Sequence, residues 1–299
     1  MTRRNGLLFA AMCVIWGVPY LLIRVAVRTI SPADLVFART GIAALVLLPI
    51  ALRQRSLVPV LRRWRPLVAY TLAELAVPWL LLSDAETKLT SSVTALLIAA
   101  VPLASVAMTA VIGGHEPVRS TTLVGLIMGL VGVGALVGLD LHRLNPLAVL
   151  EIAVVVLGYA LGPIILSRSL SDLPVIGVVT ASLLLTAVVY LPVAISDPPH
   201  QLTGASVLSV LVLASVCTAV AFVLFFALIA GIGPARAVVI TYVNPAVAVL
   251  LGILALGEEF TVGMALGFPL ILAGSILGSR RHRPQPASGT PVAPAAKLD

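Results

Sequence analysis

The sequence predicts an all-α integral membrane protein whose ten transmembrane helices form two inverted five-helix repeats. The first observation is composition: the 299 residues are 60% hydrophobic and 10% charged, with a mean hydropathy of +1.13. A soluble domain carries about 25% charged residues, so lipid must surround most of this chain. The second observation is the recurrence of long apolar runs. The third is an internal repeat with an odd number of spans in each copy.

Ten apolar segments approach the length of about 20 residues that a helix needs to cross the hydrocarbon core. The first is interpreted as a retained span and not as a signal peptide, because its apolar run is too long and no small-residue cleavage site closes it. The Pro- and Ala-rich residues 281–299 are predicted to be a disordered cytoplasmic tail. The predicted spans, numbered 1 to 10, are residues 6–27, 33–52, 66–83, 89–112, 121–139, 146–167, 174–195, 206–229, 235–256 and 261–279.

Basic residues in the gaps predict the orientation. When the N-terminus and alternate gaps are counted as one side, fourteen Lys and Arg residues lie there and four lie on the other side. Arg39 lies within span 2, which accounts for all 19. Basic residues accumulate on the cytoplasmic side of membrane proteins. We therefore expect a multi-pass protein of the bacterial cytoplasmic membrane with both termini in the cytoplasm.

The internal repeat relates residues 90–134 to residues 233–276. Both copies have a span with a proline about a third of the way along, an acidic residue just past its end, and a second span that contains glycine. With one extra residue in the first copy, Glu116 aligns with Glu258. Because each copy holds five spans, the second must enter the membrane from the opposite side. The predicted domains are repeat 1 at residues 1–140 and repeat 2 at residues 141–280.

Four prolines at related positions predict helix kinks and point to a site. They are Pro19 in span 1, Pro102 in span 4, Pro163 in span 6 and Pro245 in span 9. Proline removes one backbone hydrogen bond and kinks a helix. The freed carbonyl is tolerated in a membrane where it faces a cavity or another helix. Interrupted spans at matching positions therefore predict a midplane binding site between halves that alternate in access.

These features resemble the drug/metabolite transporter superfamily, in its ten-helix EamA-type branch. The resemblance is carried by Trp16-Gly17 and Tyr20 in span 1, by Arg39 in span 2, and by the two endings of proline followed by an acidic residue. In the second copy, the ending is Pro245 to Gly257-Glu258. The first copy departs from the pattern, because His115 stands where a glycine is expected.

The resemblance implies a secondary transporter with a central cavity lined mainly by spans 1, 3, 4, 6, 8 and 9. Members of this family often export amino acids, metabolites or drugs, frequently with proton exchange. The expected function is therefore export of small organic metabolites, such as amino acids or related compounds, or of drugs by alternating access, either coupled to protons or facilitative. Import is the other direction that inverted repeats permit, and the oligomeric state is left open.

Two charged residues within spans are the main functional candidates, because charges are costly inside a membrane. Arg39 lies about six residues, or roughly 9 Å, inside one end of span 2. Glu74 lies about nine residues, or roughly 13 Å, from the same face in span 3. Glu74 is a candidate for proton coupling, and Arg39 for substrate contact. The alternative is a structural ion pair between them, or an arginine held by carbonyl groups.

Polar and aromatic side chains near prolines are the candidates for substrate binding. Aromatic rings offer stacking and cation–π contacts, and an asparagine amide can both donate and accept. Each of these residues has a packing role as its alternative. The candidates are Trp16, Tyr20, Trp79, Tyr159, Tyr242 and Asn244.

Three further features are expected to be structural. Glu151 lies close enough to the end of span 6 to reach the interface. Glu258 and Glu259 are expected to mark the membrane boundary and to act locally in the turn to span 10. Glycines four residues apart in spans 5 and 10 predict close helix packing.

Several function classes find no support in the sequence. Basic residues are confined to gaps and termini, which argues against nucleic-acid binding. Cys13 and Cys217 lie in apolar runs, the four histidines are scattered, and no metal-ligand cluster or cofactor motif is present. We therefore expect no metal, no cofactor and no enzymatic activity. A membrane enzyme acting on lipid, or a channel or scaffold protein, remains the alternative.

Overall fold

The computed structural model describes residues 2–112, 120–138, 144–199, 201–233, 237 and 239–279. All regular secondary structure within these residues is helical, which confirms the predicted fold class. Eight of the spans are long and apolar enough to cross a membrane, and spans 9 and 10 are two shorter apolar helices. His115, Glu116 and residues 281–299 lie outside the described residues.

Four of the spans consist of more than one helical segment, and a short helix at Leu57–Arg62 connects spans 2 and 3. The segments are Arg3–Ile15 and Pro19–Ala26 (span 1), Pro32–Arg53 (span 2), Trp64–Thr71, Leu72–Ala76 and Val77–Lys88 (span 3), Ser91–Ile98 and Val101–Ile112 (span 4), Ser120–Gly138 (span 5), Pro146–Ser169 (span 6), Val175–Ser196 (span 7), Gly204–Ala214, Ser215–Val220 and Ala221–Ile232 (span 8), Ile240–Leu256 (span 9) and Val262–Ser279 (span 10).

Span 3 extends five residues beyond its predicted end. The apolar run stops at Ser83, but the helix continues to Lys88. Polar side chains of this last turn find partners within the protein, including a Lys88–Asp84 ion pair one turn apart. Hydropathy alone therefore placed the end of this helix too early.

The predicted prolines divide into two kinds. Pro19 and Pro102 stand in the first turn of a new helical segment, where spans 1 and 4 are interrupted. Since proline has no N–H, Pro19 cannot donate to the carbonyl group one turn earlier, and the helix restarts there. Pro163 and Pro245 instead lie inside continuous helices.

Spans 3 and 8 each contain a wide π-helical turn. The turns are Leu72–Ala76 and Ser215–Val220, and each interrupts an otherwise α-helical span near its middle. Such turns are rare and occur frequently at functional sites. Spans 3 and 8 hold the same place in the two five-span halves, so the bundle has one wide turn in each half.

Helix contacts also follow a pattern of exchange between the halves. Spans 2 and 7, 4 and 9, and 5 and 10 pack directly against each other. Span 3 packs on span 6, and span 8 packs on span 1. Span n of the first half corresponds to span n+5 of the second. Each contact above therefore either joins two corresponding spans or has an equivalent contact in which the two halves have exchanged roles.

Glycines bring the backbones of spans 5 and 10 together, as the sequence predicts. A Cβ atom on Gly274 would lie 2.5 Å from the amide nitrogen of Gly129 and 2.6 Å from the carbonyl oxygen of Gly125. A Cβ atom on Gly132 would lie 2.7 Å from the amide nitrogen of Ile271. Small residues allow this approach.

We predict that Gly132→Ala destabilises the protein by about 1–3 kcal/mol, because the new methyl group overlaps backbone atoms of span 10. Gly134→Ala is the matched control, since nothing lies within 4 Å of its added methyl group. Thermal unfolding of both purified variants in detergent measures the difference. Equal unfolding temperatures would contradict the close packing of spans 5 and 10.

Candidate functional site

Arg39 occupies the interior of the bundle and is held by two contacts. Arg39 is only 8% exposed. Its Nε donates a hydrogen bond to Thr218 Oγ1 at 3.0 Å, and its Cζ lies 3.7 Å from the ring centroid of Trp79. Neither of its two terminal nitrogens has a hydrogen-bond acceptor among the described residues. The N–H groups of these two terminal nitrogens are therefore available to bind a ligand.

The wide turn of span 8 orients the partner of Arg39. Thr218 lies in this turn, and its hydroxyl donates to the carbonyl oxygen of Leu213, five residues earlier, at 2.8 Å. The same oxygen accepts the hydrogen bond from Arg39. The hydroxyl of Thr218 thus donates to a backbone carbonyl group and at the same time holds the side chain of Arg39.

Glu74 lies in the wide turn of span 3 and faces span 6. A Cβ atom on Gly162 would lie 1.9 Å from Glu74 Oε2, so the carboxyl group occupies the space that this glycine leaves. One turn earlier, a Cβ atom on Gly158 would lie 2.5 Å from the carbonyl oxygen of Ala73. Two glycines of span 6 therefore accommodate the wide turn. Glu74 Oε2 is buried, and no residue in the described part of the chain offers it a hydrogen bond.

Tyr190 supports the turn that carries Glu74. Its hydroxyl, from span 7, donates to the carbonyl oxygen of Ala76 at 2.9 Å. Pro78 follows in the first turn of the next segment and has no N–H to offer the preceding turn. The hydrogen bond from Tyr190 thus joins the end of the wide turn to span 7.

Arg39 and Glu74 do not form the ion pair that their depths would permit. The ion pairs among the described residues are Arg63–Asp172, Lys88–Asp84 and Lys88–Glu151. Arg39 is held by Thr218 and Trp79 instead. Two ionisable groups thus lie inside the bundle without pairing with each other.

Three predicted aromatic residues surround these charges. Tyr20 and Tyr159 lie within electrostatic reach of Arg39, and Tyr159 also lies within reach of Glu74. Both tyrosines are only partly exposed. Trp79 provides the ring beneath the guanidinium. The structure thus groups Tyr20, Trp79 and Tyr159 around Arg39, and Tyr159 connects this group to Glu74.

Trp16 belongs to an aromatic cluster between spans 1 and 8. Its ring centroid lies 4.7 Å from that of Phe225 and 6.2 Å from that of Phe222, the latter with nearly perpendicular planes. Phe226 stacks against Phe222 at 6.0 Å. The tryptophan therefore has a packing role, and its partly exposed surface is what remains for a substrate.

Asn244 and Tyr242 connect helices. With its amide nitrogen facing the available acceptors, buried Asn244 donates to the carbonyl oxygens of Ile240 at 2.9 Å and Cys13 at 3.1 Å. It thereby joins span 9 to span 1. The hydroxyl of Tyr242 donates to the carbonyl oxygen of Ser275 in span 10 at 3.4 Å. These two residues lie apart from the contacts of Arg39.

Glu86 is a candidate that the sequence analysis missed. It is fully buried, and neither of its carboxyl oxygens has a hydrogen-bond partner. Its backbone carbonyl oxygen accepts a hydrogen bond from Arg24, and the charge of Arg39 lies within electrostatic reach. It was assigned to a gap because the apolar run ends at Ser83. Trp79, Ser83 and Glu86 are spaced i, i+4 and i+7, which places them on one face of a helix. This spacing is the sequence signal that could have placed Glu86 in span 3.

The backbone N–H of Glu258 acts locally and donates to the carbonyl oxygen of Gly252, but its side chain has a distant role that was not predicted. Its carboxylate accepts hydrogen bonds from the backbone N–H and hydroxyl of Ser91 at 2.8 and 2.9 Å, and from the same two groups of Ser92. The first N–H groups of a helix lack intrahelical partners and attract negative charge. Glu258 therefore caps span 4 from the end of span 9.

Glu151 is also held more firmly than predicted. It is 9% exposed, and its Oε1 accepts from Lys88 Nζ at 2.9 Å, while Lys88 also pairs with Asp84. We expected this carboxylate to reach the interface. It reaches a cation of span 3 because the helical extension to Lys88 carries that cation beside it.

Comparison with known proteins identifies the chain. Residues 4–138 and 146–280 each match the EamA-like transporter family. The chain belongs to this family. This EamA-like protein is 31% identical over 252 residues to the uncharacterized inner membrane transporter YedA of Escherichia coli (strain K12), a match that covers 83% of this chain and 81% of the relative. Its counterpart in Escherichia coli O157:H7 is equally similar.

A solved crystal structure shares the fold of this EamA-like protein. The two agree with a TM-score of 0.65 at 20% sequence identity, over 93% of this chain and 97% of the other. Family membership confirms the resemblance and makes the chain a multi-pass membrane transporter with a small-molecule substrate. It points to a transporter and not to an enzyme.

We predict that Glu258→Gln lowers stability by about 1–3 kcal/mol, because its amide group would face backbone donors with a donor of its own. Glu259→Gln removes the same charge from the exposed neighbouring residue and should change stability by less than about 0.5 kcal/mol. Thermal unfolding in detergent compares the two variants. A Glu258→Gln variant as stable as Glu259→Gln would contradict the capping role.

Proposed function

We propose that this EamA-like transporter exports small organic molecules by alternating access in exchange for protons. The observation that carries the proposal is the buried oxygen of Glu74, which has no hydrogen-bond partner among the described residues and lies in a wide turn within electrostatic reach of Tyr159. Export is the direction implied by the family resemblance. Both termini are proposed to be cytoplasmic, from the distribution of basic residues.

The exchange of helix contacts between the halves supports alternating access. Two conformations of similar energy can arise when each half can adopt the packing of the other. The wide turns of spans 3 and 8 lie near the middle of their helices and contribute Glu74 and the Thr218–Arg39 contact, respectively. A substrate between these turns would contact both halves, so its binding can favour one conformation over the other.

The surroundings of Glu74 support proton coupling. An ionised carboxylate with a buried oxygen that accepts no hydrogen bond is costly, and the cost is relieved by a bound proton or a cationic partner. A proton and the cationic group of a substrate would therefore compete for Glu74. Competition of this kind couples the exit of one to the entry of the other.

The chemistry around Arg39 limits the class of substrate. Free guanidinium donors suit a carboxylate, and the faces of Tyr20 and Tyr159 suit an aromatic ring or an ammonium group. The few interior charges disfavour polyphosphates and nucleotide sugars. Amino acids, related metabolites and amphiphilic cationic drugs are the proposed substrates. A metabolite and drug efflux screen, in cells with and without the protein, would identify the compound.

We predict that Glu74→Gln abolishes transport driven by a pH gradient while substrate binding is partly retained, because glutamine keeps the shape of the side chain but cannot exchange a proton. The measurement is uptake into proteoliposomes with the compound found in the screen. Glu259→Gln is the control and should transport like the wild type.

Glu86→Gln separates the two buried carboxylates. It should retain pH-driven transport if Glu74 is the coupling residue. Unchanged pH-driven flux in Glu74→Gln, or loss of coupling in Glu86→Gln alone, would contradict the assignment. Saturation of flux and its stimulation by substrate on the far side would distinguish a carrier from a channel.

We also predict that Arg39→Lys weakens substrate binding by at least about tenfold in a folded protein. A lysine ammonium group cannot cover the Trp79 ring, bond Thr218 and present a planar pair of donors together. Substrate binding to the purified variant measures the effect. Wild-type affinity in Arg39→Lys would show that only the positive charge is needed.

A further inference from the structure

A groove at the end of the bundle where spans 2 and 7 meet has a composition that the transport site does not explain. Its volume is about 650 Å³, within the range of small-molecule sites. Its walls are apolar and its rim carries arginines. The lining residues used below are Leu52, Arg55, Val58, Arg62, Arg63 and Leu173.

Two of the three arginines are without a partner. Arg63 is committed to a bidentate ion pair with Asp172 at 2.7 Å and also donates to the carbonyl oxygen of Ser169. Arg55 and Arg62 are exposed and have no ion pair or hydrogen bond from their side chains among the described residues. The groove therefore presents two unneutralised guanidinium groups beside an apolar wall.

The backbone at Arg55 provides an independent observation. Span 2 ends in a Schellman motif: Arg55 N–H donates to the Leu52 carbonyl oxygen, and Ser56 N–H donates to the Ala51 carbonyl oxygen. This motif needs a left-handed residue, usually glycine. Arg55 has φ 49°, the one positive φ outside glycine among the described residues.

The end of span 9 provides a comparison within the same chain. There Gly257 takes the left-handed position, with φ 67°. Span 2 has an arginine at the corresponding position, at a cost in backbone energy. Strain of this kind is retained where the side chain has a use. The side chain of Arg55 therefore has a role that glycine could not fill.

We propose that this groove binds an anionic phospholipid of the surrounding leaflet. The phosphate group would lie between Arg55 and Arg62, which suit phosphate oxygens, and an acyl chain would follow Leu52, Val58 and Leu173. Trp64, 59% exposed beside the groove, suits the level of the headgroups. Basic pockets between spans on the cytoplasmic side are the setting in which such headgroups bind.

The test uses purified full-length protein in detergent, freed of native lipid and titrated with phosphatidylglycerol. Thermal stabilisation or native mass spectrometry gives the half-saturating lipid concentration. Each arginine should contribute roughly fivefold to affinity. The double variant Arg55→Gln/Arg62→Gln should therefore need about 25 times more lipid.

The matched control is Arg3→Gln/Arg4→Gln, which removes two exposed arginines from the N-terminus and should bind within about twofold of the wild type. Arg55→Gly is a further variant: relief of the left-handed strain should raise Tm without lipid, while binding weakens about fivefold. A structural role alone would not separate these two effects.

Three outcomes would overturn the proposal. An equal loss of affinity in the control pair would mean that binding follows surface charge and not the groove. Equally tight binding of zwitterionic phosphatidylcholine would remove the role of the arginines. Displacement of the lipid by inorganic phosphate at equal concentration would assign the site to free anions.

Discussion

A polar group buried in a membrane-spanning bundle must find its partner within the protein, and this constraint decides where the helices of the transporter can break. The wide turn of span 3 is satisfied by Tyr190 from span 7, and the wide turn of span 8 is satisfied by Thr218 within it. The start of span 4 is satisfied by Glu258 from the end of span 9. Two of these three groups thus depend on a neighbouring span, and Thr218 in the third also accepts a hydrogen bond from Arg39 of span 2.

The same constraint separates the two interior charges. Arg39 is satisfied in part by Thr218 and Trp79, so it does not require Glu74 as a counter-ion. Glu74 is accommodated by the missing side chain of Gly162, which provides space but no hydrogen bond. One charge is thus anchored and the other left unsatisfied, which is the asymmetry that a residue exchanging partners requires.

Much of this architecture follows from the sequence. Composition and the length of apolar runs predict ten membrane helices, and the position of Pro19 predicts the interruption of span 1. The residues around Arg39 were named because charged and aromatic side chains in spans have few uses. By contrast, apart from Glu74, the residues of Leu72–Ala76 and Ser215–Val220 are apolar or small and do not by themselves distinguish a wide turn from an α-helix. Glu86 is not predicted because it follows the end of the apolar run, and the role of Glu258 is not predicted because its partners, Ser91 and Ser92, are distant in sequence.

Proton release on substrate binding tests the central claim most directly. The account holds that a proton and the substrate compete for Glu74, so the purified wild-type protein should release about one proton for each substrate molecule bound. Calorimetry in buffers with different ionisation enthalpies measures this number. The account predicts that Glu74→Gln binds substrate with no proton release. The same release from Glu74→Gln as from the wild type would contradict it.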